Sequence, residues 1–152
     1  MQELYTLMRT NVDDVGVSEA DCKNGLKTYV EQKGYNLSYS SVKNTWGTFQ
    51  LSSAKSAIDN NKPILLFCDE AGLIIVAQGD HYDRIVTSIV QNRHVMVAYG
   101  YCTVKYYNGL DENFRTDTYL MVSTGLYSQS TAFVQVNTTA WLDNGYAVTI
   151  TA

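Results

Sequence analysis

Apolar positions recur at helical spacing in the first part of the chain and at strand spacing in the second. Between residues 18 and 33, Cys22, Leu26, Tyr29 and Val30 fall at i, i+4, i+7 and i+8, one face of a helix. Ser18 followed by Asp21 has the form of a capping box, and Gly34 stands where a left-handed C-cap belongs. Asn36–Val42 alternates at period two through Leu37 and Tyr39, as a half-buried strand does. A second helix is predicted over Leu51–Asn60, with Leu51, Ala54, Ala57 and Ile58 facing inward. Pro63, the only proline, disfavours helix in the residue before it and ends that segment. Ile64–Cys68 is uninterruptedly apolar, the pattern of a strand covered on both faces; Leu73–Ala77 is a similar run after a turn at Gly72.

From Arg93 onward the pattern is nearly all strand. His94–Tyr107 is long and β-prone, and Asn108-Gly109 is the strongest two-residue turn signal in the chain. Tyr119–Val122, Phe133–Val136 and Tyr146–Ile150 follow, separated by polar loops, which predicts an antiparallel meander. The expected fold is α+β: two N-terminal helices followed by an antiparallel sheet. No repeat, linker or low-complexity tract divides residues 1–152, so one domain is expected.

Composition narrows the function. The 152 residues carry 45% apolar and 12% aromatic content, enough to bury a core. Eleven basic against fifteen acidic residues give a net charge of -4, with no Lys/Arg run, which argues against nucleic acid as the partner. The longest apolar stretches, such as Pro63–Cys68, are far below the roughly 18–20 residues that span a bilayer, and no N-terminal segment reads as a signal peptide. Charged residues are only 17%, and Ser, Thr, Asn and Tyr are abundant, a surface common outside cells; a secreted or cell-surface protein is expected. Cys22, Cys68 and Cys102 are an odd count without a close pair, so neither a disulfide framework nor a metal site is expected.

His94 is the main candidate for chemistry. At the first residue of a buried strand, an imidazole is held rigidly while its ring faces a cleft, which suits a general base. The plainer alternative is a strand-end histidine satisfied by hydrogen bonds. Cys22, about one turn into its helix, occupies a position that lowers thiol pKa, yet it also lies on the apolar face where inert thiols are buried. Cys68 reads as a small hydrophobe, and Cys102 lies eight residues beyond His94, roughly 26 Å along one strand. Asp80-His81-x-Asp83 reads as a surface turn, and Asp111, Glu112 and Asp117 as solubilising charges at a hairpin tip. Tyr99, Tyr101, Tyr106, Tyr107, Tyr119 and Tyr127 either line a groove or pack across strands.

Several segments resemble bacterial papain-like cysteine peptidases of the bacteriocin-processing and streptopain type. His94–Tyr101 has the form His-x-x-x-x-x-Gly-Tyr, and Tyr119–Gly125 resembles the strand that follows it in that group. Gly25-Leu26-x-x-Tyr29-x-x-x-x-Gly34-Tyr35 resembles the group's small helix, and Asn60–Leu66 its Pro-led strand before the histidine. The resemblance implies the β-rich part of a papain-like fold acting on a peptide or protein substrate without a cofactor. It implies His94 as base and Ser123 or Thr124 at the position of the orienting Asn or Asp. A hydroxyl there supplies no negative charge to an imidazolium. No Gln-x-x-Cys or Cys-Gly-Pro segment occurs. The resemblance therefore implies a nucleophile on an N-terminal fragment outside this chain, or an inactive relative. Cys22 is the one internal candidate, and a non-catalytic peptide- or protein-binding module is the alternative.

Overall fold

The computed structural model describes residues 2–10, 16–68, 71–77, 84–90, 93–110, 112–126, 129–136 and 142–152. They gather into two units, Met1–Ser40 with Val148–Ala152, and Ser41–Ala147.

In the first unit α1 (Gln2–Leu7) lies against α2 (Glu19–Gln32), followed by β1 (Asn36–Ser41). Ser18 caps α2 as the sequence predicts, its hydroxyl oxygen accepting the Asp21 N–H at 3.0 Å. Gly34 takes φ 85°, the left-handed turn that releases the chain into β1. Gly25 is where α1 and α2 approach. A Cβ at this position would stand 2.6 Å from the backbone of Leu7 and Met8, a distance no side chain tolerates.

The second unit holds α3 (Leu51–Asp59) and seven strands: β2 (Ile64–Cys68), β3 (Ala71–Ala77), β4 (Arg84–Val90), β5 (His94–Tyr107), β6 (Asn113–Leu126), β7 (Gln129–Gln135) and β8 (Leu142–Thr151). The end of β8, from Val148, belongs to the first unit, where β1 is its neighbour. The seven-stranded sheet is open and antiparallel, in the order β8-β2-β5-β6-β7-β3-β4. α3 lies against β2 and β5, and Ala54 and Ala57 are buried with Ile64, Leu66, Met96, Ala98, Leu120 and Val122 in one core. Gly145 of β8 makes room for Val42, whose Cγ2 would lie 2.7 Å from an added Cβ.

The α+β class and the antiparallel sheet agree with the sequence; several particulars differ. There are three helices among the described residues rather than two, the added one being α1, while β1 stands before α3 as the alternation over Asn36–Val42 predicts. The meander holds for β5-β6-β7, but β8 crosses to pair with β2. The apolar run of β2 calls for cover on both faces, and it does not say which strands flank it. Gly72 is inside β3 rather than in a turn. The β5–β6 connection spans Asn108 to Glu112, not two residues: the Asn108 side-chain oxygen accepts from the N–H groups of Leu110 and Glu112 and shapes a longer loop.

Removal of the space at Gly25 gives a direct test of the α1–α2 packing. Gly25→Ala improves the intrinsic propensity of α2 by about 1 kcal/mol but drives a methyl into α1, an overpacking cost of ~1–3 kcal/mol. Hydrogen exchange should show the Met8 amide, bonded to Leu4, losing protection while the centre of α2 keeps it. Unchanged protection at Met8 would contradict the packing.

Candidate functional site

The register of three strands builds the site outward from the core. β5 lies between β2 and β6, and the pairs Ile64–Ala98, Leu66–Met96 and Cys68–His94 place these side chains on one face of the sheet. Ala98 and Met96 are sealed in the core, and the row ends at His94, which is half-buried. Its ring reaches across to β6, where Nε2 meets the main-chain oxygen of Thr124.

That contact fixes the chemistry of the ring. A carbonyl oxygen only accepts, so in the neutral imidazole the proton sits on Nε2 and the lone pair on Nδ1. Nδ1 has no hydrogen-bond partner among the described residues. The residue as a whole is half-buried. The arrangement can take a proton at Nδ1 from a group brought to that side of the ring.

Of the two residues expected to orient His94, only Thr124 meets it, and through its carbonyl rather than its hydroxyl. The hydroxyl oxygen instead accepts the Leu126 N–H at 3.1 Å. Ser123 pairs with Val97, is exposed and points to the opposite face of the sheet, as alternation along β6 requires.

The three cysteines are free thiols. Cys22 is 3% exposed in the first unit. Burial, with the nearby Glu19 carboxylate adding to it, pushes its thiol up to about 11. Desolvation therefore outweighs the effect of the helix end and makes Cys22 a poor nucleophile. Cys68 is buried opposite His94 and donates to the His94 carbonyl at 3.3 Å. Sequence reasoning missed this neighbour, although a signal existed: antiparallel pairing of Ile64–Cys68 with His94–Ala98 sets the end of one run against the start of the other. Cys102 lies on the other face, beside Tyr119, because a bulge between Ala98 and Gly100 reverses the alternation of β5. Its thiol is also pushed up by partial burial.

The described tyrosines have separate surroundings. Tyr101 turns toward α3, where its hydroxyl donates to Asp59 at 3.0 Å and the Lys55 ammonium lies 5.0 Å from its ring centre. The bond to Asp59 pushes the Tyr101 hydroxyl up from its ordinary value. Tyr106 and Tyr119 bond to each other at 2.9 Å, and Tyr119 donates to Asp117. Tyr99 and Tyr107 are exposed. Asp117 is not a surface charge: it is 3% exposed and paired with Arg115, whose Nε donates to it at 2.6 Å. Glu112 is exposed, as expected. Asp80, His81, Asp83, Asp111 and Tyr127 lie outside the described residues. Among the described residues no cluster of His, Cys, Asp or Glu could hold a metal ion, and no helix is long and apolar enough to cross a membrane.

The raised Cys22 thiol predicts a pH dependence. The unfolded chain ionises this group near its ordinary value of 9.0, and the folded chain only near 11. The stability that its protonated form provides is present below pH 9 and lost progressively as pH rises to about 11. The loss is on the order of 2 kcal/mol. Denaturant titrations of wild type and Cys22→Ala should therefore converge over this interval, and a constant difference would contradict the assignment.

Compared with models of known protein families, with curated proteins and with solved structures, the chain matches none.

Proposed function

We propose that this chain is a papain-like cysteine peptidase unit of bacterial type, secreted or held at the cell surface, that hydrolyses peptide bonds with His94 as general base. The observation that supports the reading is the half-buried His94 ring, its Nε2–H engaged by the Thr124 carbonyl and its Nδ1 without a hydrogen-bond partner among the described residues. In this mechanism a thiol gives its proton to Nδ1, and the thiolate attacks the carbonyl carbon of the peptide. The imidazolium returns that proton to the departing amine, and water then hydrolyses the thioester, again through Nδ1. The thiol comes from an N-terminal fragment outside this chain, and no cofactor takes part.

A second reading is a non-catalytic peptide- or protein-binding module on the same scaffold. It is favoured by the state of the internal thiols: Cys22 and Cys68 are buried, and Cys22 is held protonated.

A peptide chloromethyl ketone and a fluorogenic peptide mixture separate these readings. The chain alone should be neither labelled nor active. Addition of an N-terminal cysteine-bearing fragment should produce hydrolysis that His94→Ala lowers about 10²–10⁴-fold. Labelling of Cys22, Cys68 or Cys102 in the chain alone would overturn the external nucleophile. Saturable peptide binding that survives His94→Ala, without hydrolysis under either condition, would establish the binding module instead.

A further inference from the structure

His94 is held by a main-chain atom, and main-chain atoms are aimed by backbone geometry rather than by side-chain choice. Three observations converge where that atom lies. The pairing of β6 with β7 slips by one residue between Ser123 and Leu126. Gly125, inside the slip, has φ 71°, in the left-handed region. The Thr124 hydroxyl, on a residue with no exposed surface, accepts the Leu126 N–H and closes the same short loop. A bulge with a left-handed glycine locally rotates the peptide planes out of the ladder. Here the peptide carbonyl between Thr124 and Gly125 is the one that reaches Nε2.

We infer that the Thr124–Gly125–Leu126 bulge is a positioning device that turns a backbone carbonyl onto His94 and thereby selects Nδ1 as the basic nitrogen. The inference rests on the reading of His94 as a base and deepens it. Gly125 is the positioning residue, and the Thr124 hydroxyl is its lock. The requirement at position 125 is for backbone conformation, because nothing among the described residues lies within 4 Å of where a Cβ would stand. Asparagine, which tolerates the left-handed region, should therefore replace Gly125, and valine should not. At position 124 the hydroxyl is what matters: serine should replace it and valine should not.

Nuclear magnetic resonance of the ¹⁵N-labelled full chain tests this without any nucleophile or substrate. The only other histidine is His81, so His81→Ala assigns the His94 ring. Wild type should show a single neutral tautomer protonated at Nε2, whose ring proton exchanges with water slowly enough to be observed. Gly125→Asn and Thr124→Ser should keep that resonance; Gly125→Val should lose it, with signals of both tautomers appearing. If Gly125→Val does not fold, Thr124→Val carries the comparison and should weaken the resonance. A wild-type ring protonated at Nδ1 would overturn the inference. An unchanged Nε2–H resonance in folded Gly125→Val, or in Thr124→Val should the glycine variant not fold, would do the same. Absence of peptidase activity leaves the ring spectrum as it is, so failure of the proposed function and failure of this inference are told apart.

Discussion

A main-chain carbonyl can accept a hydrogen bond and cannot donate one, and this asymmetry governs the ring of His94. Once the Thr124 oxygen meets Nε2, the neutral imidazole has no choice of tautomer: its proton is on that nitrogen and its lone pair on the other. The strand pairings of the second unit bring the two groups together. The strand bearing His94 is fixed by its pairing with β2, and the strand bearing Thr124 by its pairing with β5 and β7. The buried rows through Met96, Ala98, Leu120 and Val122 hold those strands in register, because a one-residue slip would turn each row outward.

Two irregularities set what this register presents. The bulge between Ala98 and Gly100 lets Tyr101 face α3 and sends Cys102 to the opposite side from His94. Gly100 leaves space for Met121, whose sulfur would be 3.1 Å from an added Cβ. The second irregularity, at Gly125, aims the Thr124 carbonyl. Beyond the second bulge the strands end; beyond the first, β5 and β6 continue as a pair to the Asn108 loop. On that pair, Asp117 is kept from water and satisfied by Arg115 and Tyr119, as a buried carboxylate requires.

Strong periodicity made much of the fold legible. The helix from Glu19, the helix from Leu51, the covered strand Ile64–Cys68 and the long strand from His94 all stand where apolar spacing predicts them. The losses have physical causes. α1 is six residues long with no buried residue, too short and too exposed for a helical stripe to show. Arg84–Val90 is rich in β-branched residues but lacks alternation, so no half-buried pattern identifies it. Glycine was the ambiguous signal: Gly34 makes a turn, Gly72 sits inside a strand, and Gly100 and Gly125 accompany bulges. His94 could be read as a candidate base from its position. Its partner's carbonyl could not, because main-chain orientation follows from a register slip that no residue type announces.

The central claim, that the Thr124 carbonyl holds the Nε2–H of folded His94 and leaves the lone pair of the neutral ring at Nδ1, is open to chemical acylation. Diethyl pyrocarbonate attacks the lone pair of a neutral imidazole, and peptide mass mapping of the native chain near pH 7 reports which histidine it modifies. The account predicts prompt modification of His94 while the protein remains folded. A His94 that stays unmodified until denaturant is added would show a lone pair already engaged or shut away, and would contradict it.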